Sequence, residues 1–315
     1  MPKSSDTAPF LRGVLSPVVT PFKANLDVDK ARFVAHCRWL LDNGCDGLAV
    51  FGTNSEANSM TVQEKIGLLD ALLEAGVDPA RLLPGTGACA IGDTVTLTAH
   101  AVRNGCAGVL MLPPFYYKSV PDEGLVRFFS EVISRVDDPR LRVYLYHIPP
   151  VAQVGISLDL IARLRRDWPD TVVGIKDSSG DWSNTKAVLD AFAADGFQVF
   201  AGSDDFLLAN MRNGGVGCIT ATGNVNSPAI ARLYETWDKD GADEKQRALM
   251  QTRGLFAKYP MIPALKSTIA HHLGDPDWGT VRPPLQPLAP AQAEALAGSL
   301  SQDGFTMPGL AQLAR

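Results

Sequence analysis

The sequence predicts an α/β protein, a (β/α)8 TIM barrel followed by a C-terminal helical domain. Three observations carry this expectation. Eight short β-rich runs alternate with helical patterns along roughly the first three-quarters of the 315 residues, and eight such repeats typically occupy about 250 residues. Several runs are nearly continuous in apolar residues, as expected of parallel strands covered on both faces. The first run leads into Thr20-Pro21-Phe22, without the Gly-x-Gly-x-x-Gly turn that usually opens the competing doubly wound sheet.

The expected strands are residues 14–19, 47–51, 82–85, 108–112, 142–147, 172–176, 198–202 and 217–220. Between the first two, residues 29–43 place Phe33, Cys37, Leu40 and Leu41 at helical spacing, and Asn43-Gly44 supplies the stop. In residues 61–76, Val62, Ile66, Leu69 and Leu73 repeat in the same way, and Thr61 with Glu64 forms a capping box. Further helices are expected at 91–104, 122–135, 158–167, 184–195 and 204–213. From Leu233 onward strand signals cease and Pro-rich connections such as Pro283-Pro284 appear. The expected division is a catalytic barrel over 10–232 and a helical domain over 233–315.

Twenty-nine Lys and Arg against 34 Asp and Glu give a net charge of −5 with no long basic run, so the electrostatic footprint of a nucleic-acid binder is missing. Apolar runs such as residues 107–114 fall short of the roughly 20 residues a membrane helix needs, and the opening residues lack an apolar signal core. A cytoplasmic protein with no membrane partner is expected. The five cysteines are scattered, and none stands at metal-ligand spacing from another cysteine or a histidine. Reduced, buried thiols and no metal site are the expectation.

Chemistry in this fold gathers where the strands end. Of eleven lysines, Lys176 alone finishes a strand-like run, Thr171-Val172-Val173-Gly174-Ile175. Side chains alternate along a strand, so Val172, Gly174 and Lys176 share a face. If that face is the interior, the amine projects into the barrel mouth above a glycine, where desolvation disfavours its charged form, as a nucleophilic amine requires. An ordinary rim salt bridge to Asp177 or Glu56 is the competing reading. Tyr146 shares a face with Tyr144 and is either a proton carrier or a core tyrosine with a satisfied hydroxyl. The turn Gly52-Thr53-Asn54-Ser55 suits a small carboxylate or is a plain tight turn. Tyr116-Tyr117 is a packing patch or an interface plug. The segment 213–217 precedes a strand and reads as a connector rather than a phosphate loop.

With these residues in place, the sequence resembles the dihydrodipicolinate synthase and N-acetylneuraminate lyase family of Schiff-base-forming aldolases. The likeness runs from Val19-Thr20-Pro21-Phe22 through Gly52-Thr53-Asn54-Ser55-Glu56, Pro114-Phe115-Tyr116-Tyr117 and Tyr146-x-x-Pro149. It continues through Gly174-Ile175-Lys176-Asp177-Ser178, Ala201-Gly202-Ser203-Asp204 and Asn224-Val225 to Pro263-Ala264-Leu265-Lys266. The resemblance implies that Lys176 forms an imine with pyruvate or another 2-oxo acid and that Tyr146 relays protons. Thr53 would link Tyr146 to Tyr116, which would reach into a neighbouring subunit of a homotetramer built as a dimer of dimers. It implies a carboxylate site at Thr53 and Asn54, with Ile219 and Gly202 beside the pocket, and a covalent imine in place of any cofactor.

Two departures bear on the second substrate, an aldehyde. The arginine that synthases of this family carry after Tyr-x-x-Pro is absent from Pro149-Pro150-Val151-Ala152-Gln153, and the usual hydroxyl pair is Thr53-Asn54. These features are more similar to the 4-hydroxy-2-oxoglutarate aldolase branch. Gln153 and His147 are candidates for contacting the aldehyde. The alternatives are 4-hydroxy-tetrahydrodipicolinate synthesis, dehydration of a sugar-derived 2-oxo acid, and a non-catalytic keto-acid-binding barrel.

Overall fold

The computed structural model describes residues 10–310. Seven strands form one parallel sheet: β1 (Gly13–Ser16), β2 (Gly47–Leu48), β3 (Val109–Met111), β4 (Val143–His147), β5 (Val172–Asp177), β6 (Gln198–Ala201) and β7 (Gly217–Ile219). Their order is β2-β1-β7-β6-β5-β4-β3. Residues 82–85 close the ring, bridging Leu48 to Leu82 on one side and Gly85 to Leu110 on the other. The Leu83 N–H donates to Leu48 O at 2.9 Å and the Leu110 N–H donates to Pro84 O at 2.8 Å. Pro84 has no N–H to give back, which reduces this eighth segment to isolated bridges. Two of the runs expected from sequence end early. Pro17 stops β1, and the Val19 N–H turns to the Asn224 side chain at 2.9 Å. The other, β2, gives way to a left-handed residue, Phe51, with φ 62°.

The helices around the ring are α1 (Lys30–Asp42), α2 (Val62–Glu74), α3 (Ile91–Arg103), α4 (Asp122–Val136), the single turn α5 (Pro149–Ala152), α6 (Leu158–Asp167), α7 (Trp182–Phe192), α8 (Leu207–Arg212) and α9 (Gly223–Glu235). The capping box expected at Thr61 and Glu64 forms. Helix α7 begins two residues before the expected 184, because the Asp181 side chain accepts from the Ser183 N–H. Three helices follow, α10 (Ala242–Phe256), α11 (Met261–Leu273) and α12 (Pro290–Gln302).

Inside the ring, Leu15, Leu83, Leu110, Tyr144, Phe200 and Ile219 form one buried cluster, with the Tyr144 and Phe200 ring centroids 5.9 Å apart. Outside it, a larger cluster runs from Phe33 and Leu40 through Val225 to Phe256, Leu265, Ile269 and Leu296. The C-terminal helices therefore share their core with the barrel. Helix α9 crosses the division expected at 232–233. Cys37, Cys45 and Cys218 are buried as expected, whereas Cys89 is exposed and Cys106 half-buried. No helix among the described residues is long and apolar enough to cross a membrane.

Candidate active site

Strands β4 and β5 run in register, pairing Tyr144 with Gly174 and Tyr146 with Lys176. Alternation then sends Tyr144, Tyr146 and Lys176 into the barrel mouth together. Gly174 is required by what lies beneath. A Cβ there would come within 2.6 Å of the Tyr144 ring and 2.5 Å of Gln198 O. The missing side chain lets Tyr144 floor the site under Lys176.

Lys176 and Tyr146 are 3% and 5% exposed. The Lys176 Nζ donates to the Tyr146 hydroxyl at 3.4 Å and lies 4.4 Å from the centroid of its ring. The Thr53 Oγ1 lies 3.2 Å from the same hydroxyl. Amine, phenol and alcohol form one chain, with the long contacts common in unliganded sites.

Thr53 is set by an unusual turn. Phe51 and Glu56, at φ 62° and 56°, bracket a single 3-10 turn, Thr53–Ser55. Left-handed backbone is costly for such residues and persists only where the surroundings hold it. Phe51 is held by stacking on Phe33, with ring centroids 6.1 Å apart. Glu56 is held by the Lys266 Nζ at 2.5 Å and by the Arg282 N–H at 2.8 Å. The Ser55 hydroxyl donates to Val18 O at 2.5 Å. The Thr53 and Asn54 N–H groups find no acceptor among the described residues, which leaves both able to donate to an anion.

The salt-bridge reading of Lys176 fails on both of its proposed partners. Glu56 belongs to Lys266, where both side chains are wholly buried. Burial pushes the Lys266 ammonium down to about 8, with Glu56 opposing that fall. Asp177 faces out of the barrel, accepting from Thr185 Oγ1 at 2.6 Å, Ser179 N–H at 2.8 Å and Asn184 Nδ2 at 3.0 Å.

Above Lys176 opens a cavity of about 390 Å³. Thr53, Asn54, Tyr146, Lys176 and Gly202 line it, so the structure brings these five sequence candidates together. The other four lie elsewhere. His147 alternates with Tyr146 and so points out of the barrel, where its Nδ1 accepts from the Ile156 N–H at 2.9 Å; burial depresses its imidazole. Gln153 ends α5 with its side chain exposed. Neither lines the cavity, where contact with the aldehyde was expected of both, and strand parity turns His147 away from it. Ile219 is wholly buried within the barrel and does not line the cavity. Tyr116 is 73% exposed, packed edge-on against Tyr117 at 5.2 Å, outside the cavity of its own chain.

Sequence reasoning missed the far wall. Arg253, Met261, Ile262, Pro263 and Leu285 line the cavity from a region expected to be an appendage. Only Pro263 had a signal, within the resemblance.

The model of the Dihydrodipicolinate synthetase family matches residues 10–303. A DapA-like lyase of Chloroflexus aurantiacus is 32% identical over 288 residues, 90% of this chain and 94% of the relative. The crystal structure of dihydrodipicolinate synthase from Agrobacterium tumefaciens is similar at a TM-score of 0.85 and 31% identity, covering 92% of this chain and 98% of that one. The prophage protein YagE of E. coli K12, of the dihydrodipicolinic acid synthase family and solved with pyruvate, reaches a TM-score of 0.87 at 26% identity, over 95% and 100% of the two chains. Whole-length matches of this kind, on a closed barrel with lysine and tyrosine paired at its mouth, leave one assignment: the chain belongs to the dihydrodipicolinate synthetase family and is a lyase of the class I aldolase type.

Proposed function

We propose that the protein condenses pyruvate with an aldehyde, and cleaves the resulting 4-hydroxy-2-oxo acid, through an imine on Lys176. One observation carries the reading: a buried amine whose hydrogen-bond partner is a phenol rather than a carboxylate, at the floor of a cavity. The deprotonated amine adds to the keto carbon, and loss of water leaves a protonated imine that draws electrons from the adjacent carbon. Tyr146 lies in reach to carry protons at Nζ and at the departing oxygen, and Thr53 orients its hydroxyl. The Thr53 and Asn54 N–H groups receive the pyruvyl carboxylate. The imine is itself the electron sink, so the proposed chemistry draws on no cofactor. Pyruvate is the ligand of YagE, which supports it as the keto acid here.

Tyr116, exposed beside Tyr117, fits a proposed role in a neighbouring subunit's site within a homotetramer. The name of the Agrobacterium relative favours a second reading, condensation with aspartate semialdehyde to 4-hydroxy-tetrahydrodipicolinate. Against it stands Val151, 61% exposed, where a guanidinium clamp for that carboxylate is absent.

Borohydride added with pyruvate should leave a reduced pyruvyl adduct on Lys176, found by peptide mass spectrometry. A label on another lysine, or none at saturating pyruvate, overturns the proposal.

A further inference from the structure

We propose that the aldehyde accepted by this site carries an uncharged, apolar substituent, aryl or branched alkyl, rather than a second carboxylate or a polyhydroxy chain. This rests on the imine reading and narrows it. Besides Arg253 on the far wall and Asp177, whose carboxylate accepts from Thr185, Asn184 and Ser179, the lining carries six polar side chains. Thr53, Asn54, Tyr146, Lys176, Ser178 and Ser203 are enough for the pyruvyl unit and one hydroxyl on the carbon being attacked. The large apolar side chains of the lining are Ile148, Val151, Phe206, Met261, Ile262 and Leu285. These come from the loops after β4 and β6, from α11 and from the chain that follows it.

One further cation lines the cavity, Arg253, and it is already balanced. Its Nη1 lies 3.0 Å from Asp204 Oδ1 and its Nε 3.0 Å from Asp205 Oδ2, and Nη1 also donates to Thr220 Oγ1 at 3.3 Å. Two carboxylates share one guanidinium, so the cluster has a net negative charge and repels a third. The iminium at Lys176 is matched by the pyruvyl carboxylate itself. A second carboxylate on the substrate would enter a confined site with no free cation among the described residues, which is costly. A polyhydroxy chain would face six side chains that offer no hydrogen-bonding group, Met261 sulfur being only a weak acceptor. The cavity, about 390 Å³, lies near the small end of the about 300–1,000 Å³ usual for ligand sites, in keeping with pyruvate plus a ring-sized group.

In cleavage, the bond between C3 and C4 breaks. Its electron pair passes to the iminium nitrogen as the enamine forms, the C4 hydroxyl proton goes to the Tyr146 oxygen, left as phenolate when it protonated the water departing in imine formation, and the aldehyde departs; the same phenol then supplies the proton for C3. Protonation at C3 and addition of water then release pyruvate and restore the amine. Nothing in these steps requires charge on the substituent, which only has to fit the wall.

The test is condensation of pyruvate with benzaldehyde, isobutyraldehyde, glyoxylate, aspartate semialdehyde and glyceraldehyde, read as pyruvate consumed, with borohydride trapping run alongside on the same protein. The expected result is a label on Lys176 and a kcat/KM for the two apolar aldehydes at least about tenfold above the others, the scale on which an apolar pocket discriminates. Ile262→Asn, at a partly exposed position, should erase about tenfold of that preference and leave trapping unchanged. A label on Lys176 with carboxylated or polyhydroxy aldehydes equal or faster overturns the substrate class and spares the imine. A label with no turnover of either apolar aldehyde also overturns it, as does an Ile262→Asn protein with unaltered preference. Failure to label Lys176 overturns the imine reading and this inference with it.

Discussion

Lys176 and Lys266 are both buried, at 3% and 0% exposure, yet their surroundings make them opposite devices. Lys266 ends against the Glu56 carboxylate at 2.5 Å and Thr280 O at 2.7 Å, and the Phe22 ring lies 4.5 Å from its Nζ. Carboxylate, carbonyl and ring all favour the cation, against the burial that pushes it down to about 8. Lys176 meets a phenol and, through it, an alcohol, with open cavity above. One amine ties the C-terminal region to the barrel, and the other opens on the cavity with no carboxylate partner among the described residues. The two are joined through Glu56, three residues after Thr53: the ion pair that immobilises Lys266 also pins the turn presenting the Thr53 hydroxyl to Tyr146.

Removing the free amine should have the largest effect. Lys176→Met retains the apolar stem, so folding and Tm should change little. Turnover should fall by at least about 10⁴-fold, because the proposed imine step is lost outright. Thermal melting beside a pyruvate-consumption assay checks it; retained turnover would make Lys176 a packing residue. Next comes its partner. Tyr146→Phe removes the hydroxyl alone, and kcat should fall by about 10²–10⁴-fold, the range for a positioned acid–base group. The pyruvate concentration for half-maximal borohydride labelling should hardly move. Equal losses in both would assign Tyr146 to packing.

The locked amine should respond in stability first. Glu56→Ala strands a buried ammonium, a loss of about 3–5 kcal/mol, measured by denaturant unfolding. Combining Glu56→Leu with Lys266→Met should recover most of that cost, since an apolar pair of similar volume often replaces a buried ion pair without penalty. If the double variant is as unstable as Glu56→Ala, the ion pair stabilises the fold by itself and not merely as two charges that require each other.

The contrast also marks what was legible in the sequence. Lys176 stood out because its strand is local: a β-rich run, a glycine two residues back and alternation were enough to put its amine in the mouth. The closed barrel was legible for the same reason, each unit being a short run followed by a helical period. The partner of Glu56 was not, because Lys266 lies 210 residues away on a helix whose pattern shows a buried face but not what that face meets. The cavity's apolar wall is a product of the same docking. Met261 and Ile262 read as ordinary helix residues, and only the shared core places them over Lys176. His147 lies outside the cavity because alternation turns it to the other face from Tyr146, a parity the sequence already held, and Gln153 lies outside it despite its nearness in sequence to Tyr146.

His36 buries a base in a third way, uncharged, and gives the smallest and most specific prediction. It lies wholly buried on α1, with Nε2 3.3 Å from Asn224 Oδ1 and its ring 5.9 Å from Trp39 and 5.4 Å from Trp278. Lacking a carboxylate such as Lys266 has, it is pushed by burial from 6.5 down to about 4. Between those pH values the unfolded chain binds a proton that the native protein refuses, so stability rises with pH across the window. The contribution is complete above about pH 6.5 and is lost progressively as the pH falls to about 4. It amounts to about 3 kcal/mol at 1.36 kcal/mol for each pH unit. Glu64, which Arg282 holds down at about 2, adds a separate loss that begins only below about pH 4.5. Unfolding free energies measured from pH 7 to pH 3.5 should therefore fall in two stages. His36→Gln, which retains a donor for Asn224, should flatten the upper stage and leave the lower one. An unchanged upper stage in that variant would show that the acid sensitivity belongs to another group and that His36 is not the neutral base its burial demands.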